Sequence, residues 1–127
     1  MKYPLADHAN ANKDEEDRCL MTFNNIINER KNQKKEVAAI IIEPISALNN
    51  QMATPYFYKK LRKIAKEHGI PFVVDETKTG VGSTGKWWGH EHWYLKDAPD
   101  IVTFGGKAGI SGFYTTIEYR QGDQLNA

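Results

Sequence analysis

The sequence predicts an α/β protein with a mainly parallel sheet. Two apolar runs of strand length, VAAIIIEP at residues 37–44 and IPFVVDE at residues 70–76, lack the polar alternation of a strand with one wet face. Strands of this kind are typical of parallel sheets, which are covered on both faces. An amphipathic segment lies between the two runs, and the order strand, helix, strand is the pattern of α/β folds.

Composition indicates a globular chain that forms one domain or part of a larger one. Its 127 residues are 40% hydrophobic and 26% charged. The net charge of +1 gives no electrostatic reason to expect nucleic acid or an anionic membrane as a partner. Cys19 is the only cysteine, which excludes an intramolecular disulfide and a cysteine-based zinc site. No apolar run has the length of a membrane span, and residues 1–17 lack the features of a signal or transit peptide.

Two helices are predicted in the first half of the chain, after an irregular segment at residues 1–13. Between residues 14 and 31, apolar side chains recur at the spacing of one helix face: Leu20, Phe23, Ile26 and Ile27. Thr54 and Pro55 favour the start of a second helix, since threonine caps and proline suits the first helical position. Gly69 favours its end.

The second half predicts two further strands, DIVTFGG at residues 100–106 and GFYTTIEY at residues 112–119. The α/β core therefore spans residues 14–119, and residues 120–127 form a polar tail. A sheet of three or four strands with so few helices leaves one face uncovered. We therefore expect an incomplete domain, or a chain that needs a partner.

Candidate site residues lie where the predicted strands end: Glu43, Asp75, Glu76 and Lys107. Open α/β sheets bind ligands beyond the carboxyl ends of their strands. A lysine with a carboxylate suits phosphate and Mg²⁺ handling. It equally suits a pyridoxal phosphate site, in which the lysine binds the cofactor covalently and an aspartate pairs with the ring nitrogen. Glu43 also suits a simpler role, accepting hydrogen bonds from nearby backbone.

Two other motifs suggest chemistry less strongly. GVGSTGKW, from Gly80 to Trp87, contains the G-x-x-x-x-G-K pattern of a nucleotide-binding loop, but Trp87 replaces the Ser or Thr that holds Mg²⁺. His90-Glu91-His92 resembles a metal signature without a third ligand nearby, so no metal site is predicted. The tryptophans around it favour packing or an interface over a binding box.

Three segments together carry a family resemblance: VAAIIIEPI, HGIPFVVDETKTGVGSTGKWWGHEHW and DAPDIVTFGGKAGISGF. They resemble the core of the fold-type I, class III aminotransferases, and within them the eukaryotic subfamily that acts on 4-aminobutyrate. GSTGKWWGHEHW is the most specific part, and the resemblance extends from about Lys2 to Tyr119.

The resemblance implies a fold and a site. The fold is a partial three-layer αβα sandwich, the middle of a large cofactor domain. Lys107 matches the lysine that binds pyridoxal phosphate covalently, and Asp75 matches the partner of its ring nitrogen. Thr77 and Lys78 occupy two further cofactor-binding positions. Gly80 to Lys86 becomes a structural turn rather than a nucleotide loop.

The resemblance also implies an activity and partners. The family moves the amino group of 4-aminobutyrate to 2-oxoglutarate, as a homodimer. Its eukaryotic members imply a mitochondrial location, and a cytoplasmic one stays open because the sequence shows no targeting segment.

Several positions depart from the family pattern. Thr77 and Lys78 replace a valine and a glutamine, and Leu48 replaces a glutamate that forms an ion pair at the substrate site. Gly105 and Gly106 precede the lysine where the subfamily often has Ser-Lys. The family enzyme is also several times longer, with its phosphate-binding and substrate-binding segments outside this sequence. We therefore expect the isolated chain to be inactive. The alternatives are a non-catalytic relative of the aminotransferases and a nucleotide-binding module built on Gly80–Lys86.

Overall fold

The computed structural model describes the backbone of residues 5–106 and 109–119, and the side chains from residue 12 onward. The predicted polar tail at residues 120–127 lies outside the described residues. The helices are α1 (Leu5–Asn32) and α2 (Pro55–Glu67), the strands are β1 (Ile40–Ile42), β2 (Phe72–Asp75), β3 (Ile101–Phe104) and β4 (Gly112–Thr115), and two short 3₁₀-helices span Gly89–Trp93 and Ile117–Tyr119.

The four strands form one sheet in the order β1-β2-β3-β4. The pairs β1–β2 and β2–β3 are parallel, and β4 is antiparallel to β3. This confirms the predicted α/β class with its mainly parallel sheet. Strand β1 is shorter than the predicted run, because β2 begins at Phe72 and the residues before Ile40 have no partner strand. Strand β4 is also shorter, since the chain turns into a 3₁₀-helix at Ile117.

Helix α1 begins at Leu5, well before the predicted start at Asp14. The prediction of an irregular segment at residues 1–13 is therefore wrong from Leu5 onward. Apolar periodicity marks only the part of a helix that packs on a core. The first turns of α1, LADHANANK, contain one leucine and small alanines among polar residues, so the sequence shows no stripe of large apolar side chains there.

Helix α2 begins and ends where its local sequence predicts. Thr54 is the N-cap, and its hydroxyl accepts a hydrogen bond from the Phe57 backbone. Glu16 of α1 reinforces this end, because its carboxylate accepts hydrogen bonds from the Thr54 amide at 2.9 Å and hydroxyl at 2.6 Å. The helix ends before Gly69, whose φ of 65° is costly for a residue with a Cβ.

The core lies on one face of the sheet. Helix α1 contributes Leu20 and Ile27 to it, and α2 contributes Leu61 and Ala65. The strands contribute alternate residues: Ile40, Phe72, Val74 and Val102. On the opposite face Ile41 is 70% exposed and Phe113 is 65% exposed. The expectation of strands buried on both faces is thus wrong for β1, whereas the expectation of an uncovered face is confirmed. Among the described residues, α-helices pack on one face only, which gives two of the three layers of the predicted sandwich.

A buried ion pair between Arg62 and Asp100 connects α2 to the sheet. The guanidinium and the carboxylate meet in two contacts, at 3.1 and 3.2 Å. Asp100 also accepts a hydrogen bond from the Phe72 amide at 2.8 Å, which joins the starts of β2 and β3. Arg62 donates in addition to the Ala98 carbonyl at 3.0 Å. The sequence did not predict this pair, because its members lie in separate elements.

Replacing Asp100 with Ala should lower the free energy of unfolding by about 3–5 kcal/mol, because the substitution leaves the Arg62 charge buried without its partner. Urea denaturation monitored by tryptophan fluorescence measures the change. The matched control is Lys66→Met, which removes an exposed ion pair with Asp97 and should change the free energy of unfolding far less, because solvent screens exposed pairs. Equal losses in the two variants would contradict a structural role for the buried pair.

Candidate functional site

The carboxyl ends of β1, β2 and β3 meet at one edge of the sheet, because the three strands are parallel. Glu43 follows β1 directly, and Asp75 is the last residue of β2. Asp75 pairs in register with Thr103 of β3. The predicted candidates that the structure describes therefore lie along the edge where open α/β sheets bind ligands.

The Asp75 carboxylate is held by donors from two sides. The Thr77 amide donates to Oδ1 at 3.0 Å, and the Thr103 hydroxyl donates to the same oxygen at 3.1 Å. Partial burial acts to raise the pKa of Asp75. The hydrogen bonds from the Thr77 backbone, the Thr77 hydroxyl and the Thr103 hydroxyl outweigh it, so the pKa lies below its ordinary value. The group is a carboxylate at neutral pH, as the partner of a protonated ring nitrogen must be.

Asp75 lies on the sheet face that the α-helices leave open, and it contributes to a depression of about 340 Å³. The other lining residues come from β1, the loop after it and α2: Ile41, Ile42, Glu43, Ser46, Gln51 and Tyr58. Glu43 has a local partner, since its carboxylate accepts a hydrogen bond from the Ala47 amide at 2.6 Å. This confirms the simpler reading of Glu43 as an acceptor for backbone donors.

The two other predicted cofactor-binding residues differ in where they lie. Thr77 is beside Asp75 and bonds to it through its backbone and its hydroxyl. The Lys78 amine instead extends to the loop after β1, where it donates to Asn50 Oδ1 and lies 3.5 Å from the Ser46 carbonyl oxygen.

Lys107 lies outside the described residues, together with Ala108. The described residues on either side belong to the connection between β3 and β4, whose ends are paired at Phe104 and Gly112. This connection leaves the carboxyl end of β3, the strand adjacent to Asp75.

Glu76 organises the long segment after β2, and the sequence did not assign it this role. The residue is 1% exposed. The carboxylate accepts hydrogen bonds from the Thr79 hydroxyl at 2.8 Å and the Gly89 amide at 2.7 Å, and it lies 3.4 Å from His90 Nδ1. A Cβ on Gly89 would lie 2.7 Å from the carboxylate, so only glycine fits there. The available signal was its place one residue after Asp75, since successive side chains of a strand point to opposite faces.

The segment from Gly80 to Lys86 does not form a nucleotide-binding loop. Such a loop opens a helix whose N-terminus faces the phosphates. Here the chain continues through turns into a 3₁₀-helix of five residues, Gly89–Trp93. The Lys86 amine lies over the Tyr94 ring, 4.7 Å from its centroid. The structure thus supports the interpretation of this segment as a structural turn.

The histidine and tryptophan cluster serves mainly to pack this segment. Trp93 is buried and stacks on Tyr58 with 3.8 Å between ring centroids, and Trp88 packs against Phe104 and Tyr114. Trp87 is exposed. His92 Nε2 lies 2.9 Å from the Thr84 carbonyl oxygen. Within residues 12–106 and 109–119, no three His, Cys, Asp or Glu side chains come together as metal ligands.

None of the described helices is both long enough and apolar enough to cross a membrane.

The chain is similar in sequence to known aminotransferases. Residues 1–126 match the family model described as aminotransferase class-III. The chain is 50% identical over 121 residues to the 4-aminobutyrate aminotransferase of Dictyostelium discoideum, covering 94% of this chain and 24% of that protein. It is 46% identical to the mitochondrial 4-aminobutyrate aminotransferase of Sus scrofa, with the same coverage of 94% and 24%.

Among solved structures, the lysine aminotransferase from M. tuberculosis in the internal aldimine form matches with a TM-score of 0.74 and 27% identity. The match covers 91% of this chain and 25% of that one. The chain thus spans about a quarter of the length of the relatives it matches. By sequence along nearly its whole length, and by fold, the chain belongs to the class-III aminotransferase family.

Proposed function

We propose that this chain is a segment of a pyridoxal-phosphate-dependent aminotransferase that transfers the amino group of 4-aminobutyrate to 2-oxoglutarate. The observation that carries the proposal is the Asp75 carboxylate, which Thr77 and Thr103 keep charged at the carboxyl edge of the sheet. The names of the Dictyostelium and pig relatives support the choice of 4-aminobutyrate as amino donor.

Two residues of this chain would hold the cofactor. Lys107 would bind pyridoxal phosphate covalently through its amine, and Asp75 would pair with the protonated ring nitrogen. When bound, the group supplies an electron sink that stabilises negative charge on the substrate carbon. Asp75 suits this role because its hydrogen bonds favour the charged form of the carboxyl group. The Lys107 amine, once free, would accept and return the substrate proton as a general base and acid.

The remaining features are proposed from the family. The whole protein would act as a homodimer on a small amino donor and a 2-oxo acid acceptor. A mitochondrial location is supported by the names of the pig and human relatives. The 127 residues alone would be inactive, because the phosphate-binding and substrate-binding segments of the resembled family have no counterpart among them.

A second candidate function is a non-catalytic relative of the aminotransferases. Two observations favour it. The Lys78 amine is directed to a loop, where the family has a glutamine near the cofactor. Leu48 is 97% exposed, where the family has a glutamate of the substrate site. Fold positions are kept while these two site positions have changed.

Borohydride trapping tests whether Lys107 binds the cofactor. The chain is incubated with pyridoxal phosphate, reduced, digested and mapped by mass spectrometry. We expect one predominant adduct on Lys107, and its loss in Lys107→Ala. The matched control is Lys86→Ala, which removes another lysine preceded by a glycine and should leave the adduct in place. Labelling scattered over the surface lysines, in a chain that is folded by circular dichroism, would reject the cofactor assignment and favour the non-catalytic relative.

The pKa of Asp75 tests the second half of the site. Replacing Thr103 with Val should raise that pKa, because the substitution removes a hydroxyl that donates to the carboxylate. A ¹³C NMR titration of the side-chain carboxyl group measures it. Because the folded-state pKa is lowered, the stability contributed by this group is present above the unfolded pKa of about 3.9 and is lost as pH falls through the folded value.

The control for that titration is Thr116→Val, which removes a buried hydroxyl that has no hydrogen-bond partner among the residues that the structure describes. It should leave the Asp75 titration unchanged. An unaltered pKa in Thr103→Val would show that the Thr103 hydroxyl does not set the charge of this carboxylate.

A further inference from the structure

The loop that follows β1, residues 43–51, is closed by its own hydrogen bonds. The Ser46 amide donates to the Gln51 carbonyl at 2.9 Å, and the Asn50 amide donates to the Ser46 carbonyl at 2.9 Å. Asn49 Oδ1 accepts from the Gln51 amide at 3.1 Å. The loop therefore has a defined shape of its own before any contact with the rest of the molecule is considered.

Two side chains from elsewhere anchor this loop. The Tyr58 hydroxyl of α2 donates to the Pro44 carbonyl at 3.2 Å and accepts from the Ala53 amide at 3.1 Å, so it holds the start of the loop and the segment just after its end. Lys78 holds the middle, by donating to Asn50 Oδ1 and lying 3.5 Å from the Ser46 carbonyl oxygen. Tyr58 is buried in the core, whereas Lys78 is exposed and belongs to the segment after β2.

The loop that Lys78 contacts lies beside Asp75. Ser46 and Gln51 line the depression to which Asp75 also contributes. Lys78 follows Asp75 by three residues along the chain. Its amine thus bridges the two loops that leave neighbouring strands on either side of the depression.

We propose that Lys78 is a positioning residue, whose ammonium group fastens the loop at residues 43–51 to the segment after β2 and so fixes one wall of the depression beside Asp75. A lysine amine has three donors and no acceptor, which suits a carbonyl and an amide oxygen from the same loop. This role differs from the direct cofactor contact that the family resemblance implies for this position. The link to the cofactor rests on the proposed function, but the fastening of the loop does not.

Hydrogen exchange of the full chain, measured by mass spectrometry, tests the fastening. In Lys78→Met the amides of residues 46–51 should exchange about three- to tenfold faster, because a hydrogen bond from a charged donor is lost. The amides of β2 should be unchanged. Lys78→Arg, which keeps the charge and the donors, should restore the original rates. The matched control Lys86→Met removes an ammonium that lies on Tyr94, and should leave residues 46–51 unaffected. Unchanged exchange in Lys78→Met, or no rescue by Arg, would overturn the proposal.

A double-mutant comparison tests the contact between Lys78 and Asn50 by changing Asn50 as well. Asn50→Gly removes the acceptor, and glycine tolerates the φ of 55° found at this position. If Lys78 acts through Asn50, adding Lys78→Met to Asn50→Gly should accelerate exchange by less than the product of the two single effects. Fully multiplicative effects would contradict the contact.

Pyridoxal phosphate binding separates this proposal from the proposed function. With the loop loosened, Lys78→Met should bind pyridoxal phosphate about three- to tenfold more weakly, still at Lys107, and Lys78→Arg should recover the affinity. An affinity that falls equally in Met and Arg variants would indicate direct contact with the cofactor and overturn the positioning role. If no variant binds at Lys107, the proposed function fails, while the exchange measurements still decide whether Lys78 fastens the loop.

Discussion

The buried Glu76 carboxylate is the constraint around which the functional edge of this chain is built. A carboxylate whose residue is only 1% exposed requires hydrogen-bond partners. It finds them in the Thr79 hydroxyl and the Gly89 amide, which come from opposite ends of the long segment after β2. The segment must therefore fold back over the end of the strand. The segment is held in this place also by aromatic packing, of Trp93 on Tyr58 and of Trp88 against Phe104.

The alternation of side chains along β2 places the adjacent acids Asp75 and Glu76 on opposite faces of the sheet, where they have different roles. Glu76 points into the packed side of the sheet and is satisfied by structural donors, whereas Asp75 points to the open side and is satisfied by hydroxyl and amide groups at its rim. Both are carboxylates at the end of one strand, and only their facing differs. Of these two acids, a ligand at this edge therefore meets only Asp75, because Glu76 is committed to the fold.

The sequence predicted features that depend on nearby residues and missed those that depend on distant ones. The start and end of α2 follow from Thr54, Pro55 and Gly69, which act within a few residues of where they stand. The parallel strands follow from apolar runs. By contrast, the Arg62–Asp100 pair joins residues 38 positions apart, and no local pattern announces such a partner. The early start of α1 was missed for a different reason, because a helix turn without an apolar stripe looks irregular.

The candidate site shows the same division. Asp75 could be found from its place at the end of a buried strand, whereas Thr77 was named only through the family resemblance. The direction of the Lys78 side chain could not, because it depends on where the loop after β1 comes to lie. Thr103 was also missed, since its hydroxyl reaches Asp75 only through the register of β2 and β3.

The absence of space around Gly89 affects how substitutions in this protein would be interpreted. A side chain there would press on the Glu76 carboxylate, and Glu76 shares a strand end with Asp75. A substitution at Gly89 would therefore displace Glu76, and with it the adjacent Asp75 at the ligand-binding edge of the sheet. In a mutational scan scored by cofactor binding, positions that never touch the ligand would be classed with those that do. A separate score for folding would be needed to tell the two groups apart.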